Sequence, residues 1–360
     1  MNKIRLFLFC GVASSLWLPS VAASEVTSLS GEVEGAEYAI LLPEKHNGRV
    51  LLLAHGYWPE SIPSGLSADW SDGLPKSFVK DGWIVATTSY RRNGWIMEDA
   101  ARDLENLYEL IAAAVRGDPG TVYLMGESMG GGIVTLPAEE PGGRLDGALA
   151  MGAYLFGPIG ATEAGSTELG AHFSKQPEIP ILYLTNRSEV EGPAAYVAAS
   201  AKAPVPPVLW PVERTGHVNL NHAEQRAALA ALVDWVESGV AASSKDGTVV
   251  MHPESTATIA DGSASGEVIR LVPVYGNFIT SFVREDIETL GIELGERFEL
   301  TAAEETVSVL MGESYSDVGV GDWVSFWDAG GRLLICRNYI DAVGTLGLAR
   351  LAEVVIRASE

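Results

Sequence analysis

One short segment constrains the fold of this chain more than any other. Residues 126–130 read Gly-Glu-Ser-Met-Gly and directly follow the apolar run 122–125. The pattern Gly-x-Ser-x-Gly at the end of a strand is typical of a tight strand-to-helix turn that presents a serine hydroxyl above a sheet. Glycines flank such a turn because the serine takes strained backbone angles and a bulky neighbour would collide with the adjacent strand and helix. We therefore predict this turn at Ser128.

Strands alternate with helices on both sides of this segment. The run 50–54 is continuously apolar, which indicates a strand buried on both faces, and 97–115 has apolar residues at helical spacing. Such alternation predicts an α/β fold, with a doubly wound, mostly parallel sheet covered by helices on both faces. The remaining expected strands are 38–42, 83–88, 122–125, 147–151, 181–184 and 208–210, and the last helix is 223–236.

The pattern changes after the last helix. A stretch rich in Ala, Ser, Gly and Asp predicts a linker, and the short strands and turns that follow predict a small, mostly-β, barrel-like domain. The chain begins with a positively charged segment, continues with an apolar run, and then has the small residues Val-Ala-Ala at 21–23. This order is typical of a secretory signal peptide. The expected parts are a signal peptide at 1–23, an α/β domain at 24–239, a linker at 240–265 and a β domain at 266–360.

Composition limits the partners. The formal net charge is −23, and such an acidic surface repels nucleic-acid phosphates, so we expect no nucleic-acid partner. Outside the signal no run is long and apolar enough to span a bilayer, so we expect no membrane partner after signal cleavage. The signal peptide itself predicts a periplasmic or secreted location. Signal cleavage leaves Cys336 as the single cysteine, which excludes an intramolecular disulfide. Its apolar surroundings predict a buried small hydrophobe.

The serine requires two partners. A hydroxyl is a poor nucleophile until a base takes its proton, and an acid orients that base. Around a turn of this kind the partners follow in the order Ser, acid, His. His217 follows the strand 208–210 and precedes the last helix, so we assign it as the base. His222, which opens that helix, is its rival.

The acid is expected after the strand 181–184. Glu189 stands five residues beyond this strand and is favoured over Glu191. The oxyanion that forms during acyl transfer also needs donors. We assign the N–H of Met129, directly after the serine, and the N–H of Tyr57, in the His-Gly-Tyr that follows the strand 50–54. This chemistry calls for no cofactor and no metal.

With these motifs, residues 36–239 resemble the α/β-hydrolase superfamily. The Gly-Glu-Ser-Met-Gly-Gly run is similar to that of small serine esterases, monoacylglycerol-lipase-like enzymes and prolyl-oligopeptidase-type peptidases. The resemblance implies hydrolysis through an acyl-enzyme intermediate. A carboxylesterase with a small-molecule ester substrate is the first expectation, and a serine peptidase is the alternative.

The substrate is less constrained. Residues 153–180 lack the large apolar helix expected of a lipase lid, which favours an open site for small soluble esters. Trp58 and Trp95 are candidate substrate-binding residues, either lining an aromatic pocket with Tyr57 and Phe156 or simply packing. Arg91, followed by Arg92, is a candidate for binding a substrate carboxylate, against a salt bridge to Glu98 or Asp99.

The β domain has a resemblance of its own. Residues 266–358 resemble the carboxy-terminal barrel of S-adenosylmethionine hydroxide adenosyltransferases and fluorinases, through 275–280, 314–317, 321–324 and 331–338. The resemblance implies Asn277 and Arg337 as adenosyl-binding candidates. It also implies a homo-oligomer through this domain, because in that family a neighbouring subunit completes the site. A nucleoside-binding or S-adenosylmethionine-binding protein is therefore the second functional hypothesis, with assembly or plain scaffolding as other roles for the barrel.

Overall fold

The computed structural model describes residues 26–67, 70–71, 73–156, 169–272, 276–303 and 305–359. The expected signal peptide at 1–23 lies outside these ranges. Within them, no helix is both long and apolar enough to cross a membrane.

The first domain is built on a mixed sheet with strand order β1-β2-β4-β3-β5-β6-β7-β8. In the described part of this sheet, only the pairs of β2 with β1 and with β4 are antiparallel, and the other neighbours run parallel. The strands are β1 Val26–Val33, β2 Ala36–Pro43, β3 Arg49–Ala54, β4 Ile84–Thr88, β5 Thr121–Glu127, β6 Gly147–Met151, β7 Ile181–Asn186 and β8 Val208–Val212. The predicted doubly wound, mostly parallel sheet is confirmed.

Helices cover both faces of this sheet because successive side chains of each buried strand point to opposite sides. Val50 and Leu52 pack with the helices of one face, and Leu51 packs with those of the other. The helices are α1 Leu74–Lys80, α2 Met97–Val115, α3 Met129–Ala138, α4 Glu191–Ala199 and α5 His222–Ser238. Side chains of α2, α3 and α4 belong to the first core, and those of α1 and α5 belong to the second.

The edge strand β1 was not predicted from the sequence. Its residues are mostly exposed and it pairs only with β2, so its sequence lacks the apolar alternation of a half-buried strand. Helices α1 and α4 were also missed; they are short, at seven and nine residues.

The second domain is a closed barrel. Seven described strands pair in the order β11-β15-β14-β13-β12-β16-β10, and β10 pairs with β11 to close the ring, with β9 added to β10. The predicted barrel is thus confirmed. Its elements are β9 Thr258–Ala260, β10 Ser263–Val272, β11 Asn277–Thr280, α6 Arg284–Thr289, β12 Arg297–Ala302, β13 Glu305–Met311, β14 Trp323–Trp327, β15 Leu333–Arg337, α7 Ala342–Leu346 and β16 Glu353–Ala358.

Strands of the barrel begin inside the stretch 240–265 that we expected to be a linker. Asp261 and Gly262, with φ of 50° and 68°, form a tight hairpin turn between β9 and β10. The turn residues that indicated a linker therefore belong to a hairpin, for which Asp-Gly is a favoured pair. Cys336 is fully buried in the barrel, as predicted, and burial raises the pKa of its thiol.

Candidate active site

Ser128 lies at the sharp turn between β5 and α3, as the sequence predicted. Its φ of 57° and ψ of −119° are strained for a residue with a side chain. The turn is held by backbone bonds, because the N–H of Ser128 donates to the carbonyl of Met151 at 2.9 Å and the N–H of Tyr154 donates to the carbonyl of Ser128 at 3.0 Å. A Cβ on Gly130 would collide with the carbonyl of Ala54, which explains the glycine at this position.

His217 meets the serine from the loop between β8 and α5. Its Nε2 lies 2.8 Å from Oγ of Ser128. Its Nδ1 contacts Oε2 of Glu189. Since a carboxylate can only accept, Nδ1 carries the proton and Nε2 is left as the acceptor for the serine hydroxyl. The rival His222 begins α5 and lies beside Gly73 instead.

Glu189 reaches this histidine from a single 3-10 turn, Arg187–Glu189, that follows β7. Its second oxygen, Oε1, accepts the N–H of Val218 at 3.0 Å. A Cβ on Gly152 would stand 2.6 Å from Oε1, so the carboxylate packs against backbone that tolerates no side chain. The competing Glu191 is exposed at the start of α4.

The carboxylates change the basicity of the histidine. Burial alone would lower the pKa of His217, but the hydrogen bond and charge of Glu189, together with the charge of Glu127, raise it above its ordinary value. Burial raises the pKa of Glu127, against the opposing charge of His217. The imidazolium form of His217 is therefore stabilised where a proton would be received.

The two assigned oxyanion donors border the serine. Met129 is the first residue of α3, and Tyr57 follows Gly56 in the loop after β3. A Cβ on Gly56 would be 3.2 Å from Cβ of Ser128, so this loop lies directly against the nucleophile. Among the described residues, neither N–H has a hydrogen-bond acceptor, which leaves both available to an incoming oxygen.

The two candidate tryptophans are both partly buried. The ring of Trp58 packs against His55 at 5.0 Å between centroids. The ring of Trp95 makes an edge contact with Tyr154 at 5.2 Å, and Tyr154 does the same with Phe156 at 5.9 Å. The rings thus form two separate packed groups, one with Trp58 and one with Trp95, and both tryptophans make packing contacts.

The side chain of Arg91 forms ion pairs with two carboxylates, those of Asp103 and Glu34. Its guanidinium donates to Asp103, with Nη2 2.6 Å from Oδ1, and Asp103 is fully buried. Arg91 also contacts Glu34 at 3.3 Å. A buried carboxylate holds its guanidinium partner strongly, so the geometry gives no support to Arg91 as a substrate-binding residue. Its neighbour Arg92 pairs with Asp99.

The adenosyl-binding candidates of the barrel are engaged with protein groups. Asn277 is buried and donates to the hydroxyl of Tyr315 at 2.9 Å. Arg337 donates to the carbonyl of Gly321 and to Oγ1 of Thr345, and its guanidinium lies over the ring of Trp323. Both side chains thus serve the barrel itself. Within the described residues, no group of three His, Cys, Asp or Glu side chains is placed to hold a metal ion.

Sequence reasoning missed the asparagines that join the acid and histidine loops. Asn186 ends β7 and is fully buried; its Oδ1 accepts the N–H of Asn219 at 2.7 Å, and its Nδ2 donates to the carbonyl of Asn219 at 3.0 Å. In the sequence, Asn186 could have been noticed as a polar residue at the end of a mostly apolar strand. No feature of the sequence indicated that Asn219 is its partner.

The protein matches no protein-family model, and a search of the curated proteins found no similar sequence. It is similar to a number of solved structures. An uncharacterized conserved protein from Thermotoga maritima is 17% identical over 35% of this chain and 49% of that chain, with a TM-score of 0.27. This chain therefore spans about half the length of that protein.

Two others of these structures are named as hydrolases. MGS-M1, an α/β hydrolase enzyme from a Medee basin deep-sea metagenome library, is 12% identical over 60% of this chain and 97% of that chain, with a TM-score of 0.45. An esterase from Pyrobaculum calidifontis is 15% identical over 60% of this chain and 86% of that chain, also with a TM-score of 0.45.

The strand order of the first domain and the serine turn between β5 and α3 define its fold. This domain has the α/β-hydrolase fold, and it is followed by a closed β-barrel.

Proposed function

We propose that this protein is a serine hydrolase, and specifically an exported carboxylesterase that acts on small soluble esters. One observation carries the proposal: a single imidazole joins the Ser128 hydroxyl, 2.8 Å from its Nε2, to the carboxylate of Glu189 at its Nδ1. A hydroxyl, a base and an orienting acid in one line are what nucleophilic acyl transfer requires.

The proposed reaction has two halves. Nε2 of His217 takes the proton of Ser128 as Oγ attacks the ester carbonyl carbon. The resulting oxyanion accepts hydrogen bonds from the backbone N–H groups of Met129 and Tyr57. Collapse of this intermediate breaks the bond to the alcohol, which leaves with the proton held by His217. Water then gives a proton to His217 and attacks the acyl carbon. As the bond from that carbon to Oγ of Ser128 breaks, His217 returns the proton to Oγ, which releases the acid and restores the free serine.

A panel of p-nitrophenyl esters of graded acyl length, run beside aminoacyl-naphthylamides, tests this proposal. Hydrolysis of the esters in preference to the amides supports an esterase. Preference for the amides would instead indicate a serine peptidase of prolyl-oligopeptidase type, because ester and amide hydrolysis use the same catalytic residues. Hydrolysis of neither class would contradict the proposal.

We expect kcat/KM to be highest for short acyl chains, with acetate and butyrate esters preferred to laurate and palmitate esters by roughly tenfold or more. The residues between Phe156 and Leu169 lack a long apolar sequence that would cover a long chain. The partly buried rings of Trp58 and Trp95 are the proposed contacts for the substrate. An optimum at long chains would contradict the open-site interpretation.

The pH dependence of kcat/KM tests the assigned base. His217 must be neutral to accept a proton, so activity should fall as the pH drops through its pKa. Because that pKa is raised, we expect the midpoint above about 6.5, the ordinary value for histidine. Glu127→Gln removes one carboxylate charge that raises the pKa and should move the midpoint down. A midpoint below 6.5 in the wild type would contradict the assignment.

A further inference from the structure

The loop that carries His217 has a strained backbone conformation. Gly216 has a φ of 112°, and Val218, on the other side of the histidine, has a φ of 48°. A left-handed conformation crowds a β-branched residue such as valine and strains its backbone. Such a loop keeps its shape only where surrounding groups hold it, so its contacts decide where the imidazole stands.

Asn219 makes the central contacts of this loop. The two hydrogens of its carboxamide are both used: Nδ2 donates to the carbonyl of Thr215 at 3.0 Å and to the carbonyl of Trp327, in β14 of the barrel, at 2.9 Å. Its backbone is bonded twice to Asn186, which ends β7 three residues before Glu189. Asn219 therefore links the histidine loop, the acid loop and the barrel.

A second asparagine repeats the connection to the barrel. Asn221 is buried and caps α5, and its Nδ2 donates to the carbonyls of Val249 at 2.8 Å and Ala329 at 3.2 Å. Two carbonyls of one barrel segment, Trp327 and Ala329, thus accept from two side chains of the histidine loop.

That barrel segment is itself held in place. The turn between β14 and β15 is closed by Asp328, whose Oδ1 accepts the N–H of Arg332 at 2.8 Å and whose N–H donates to the carbonyl of Arg332 at 2.8 Å. The guanidinium of Arg332 in turn donates to the carbonyls of Ser281 and Glu254. The acceptors are therefore presented from a turn that is hydrogen-bonded to the rest of the barrel.

We propose that the carboxy-terminal barrel positions the His217 loop for catalysis, and that Asn219 is the positioning residue through which it acts. The inference rests on the proposed function, since it assigns the barrel a part in the same reaction. Displacing a reacting group by about 1 Å can cost on the order of a hundredfold in rate, so a loosened loop lowers turnover without removing any reacting atom.

The experiment uses three variants of the full chain. Asn219→Ala removes the bond to the barrel from the loop side, together with the bond to Thr215 within the loop. Asp328→Ala loosens the turn from the barrel side, and Asp328 has no hydrogen bond to Ser128, His217 or Glu189 among the described residues. The matched control is Asn338→Ala, which removes a buried barrel asparagine whose Nδ2 also donates to a backbone carbonyl, that of Val318 at 2.9 Å.

We expect Asn219→Ala and Asp328→Ala to lower kcat by about tenfold or more with KM within about twofold, because positioning affects the transition state more than substrate binding. Asn338→Ala should leave kcat within about twofold of the wild type, even if it lowers the melting temperature as much as the two test variants do. Unchanged kcat in the first two variants, or an equal loss in the control, would overturn the proposal.

An NMR titration of the His217 ring gives a second readout that needs no substrate. The two test variants should move its midpoint away from the raised wild-type value toward about 6.5, and the control should not. If the wild type hydrolyses no ester, the proposed function fails by itself, and the titration still decides the positioning. A midpoint that stays at the wild-type value in both test variants would then overturn the inference.

Discussion

Replacing Ser128 by alanine should lower kcat for ester hydrolysis by about four orders of magnitude or more. Without Oγ no acyl-enzyme can form, and water would have to attack directly with only the oxyanion donors and substrate binding to assist it. The fold should persist because alanine fits the space of serine and the turn is held by backbone bonds from Met151 and Tyr154. Steady-state kinetics of both proteins, with circular dichroism as a check on folding, measures the effect.

The matched control for this variant is Ser77→Ala. The hydroxyl of Ser77 donates to the carbonyl of Leu74 within α1 and touches none of the proposed machinery. Its kcat should equal that of the wild type. Substantial hydrolysis by Ser128→Ala, above about one tenth of the wild-type kcat, would show that another nucleophile performs the reaction.

His217→Ala should be nearly as damaging as the loss of the serine, whereas His222→Ala should keep kcat within about twofold. The reason is geometric, since Nε2 of His217 lies 2.8 Å from Oγ of Ser128 and His222 lies beside Gly73. The two histidines are five residues apart on one loop and helix start, so each variant controls for the other. A large loss in His222→Ala with activity retained in His217→Ala would reverse the assignment of the base.

Local signals made the serine turn predictable. The glycines at 126 and 130 are required by contacts within a few residues of chain and with the neighbouring strand, so the segment is informative by itself. The parallel sheet was predictable for a similar reason, because buried strands are continuously apolar. The exposed edge strand β1 lacks that pattern and could not be recognised.

Contacts between distant segments explain what the sequence did not reveal. Arg91 stands twelve residues from Asp103, the buried carboxylate that holds it, and its neighbours Glu98 and Asp99 suggested other partners. Asn219 and Trp327 are 108 residues apart, in different domains. No periodicity or spacing encodes such a pair, since it exists only after the barrel has packed beside the histidine loop.

Covalent labelling by a fluorophosphonate tests the central claim most directly, because an activated serine displaces fluoride from the probe and keeps the phosphonyl group. Peptide mapping of the labelled wild type by mass spectrometry should find the adduct on Ser128. Labelling should disappear in Ser128→Ala and become much slower in His217→Ala. A wild-type protein that takes no label, or a Ser128→Ala variant that is labelled as fast as the wild type, would contradict the proposed hydrolase.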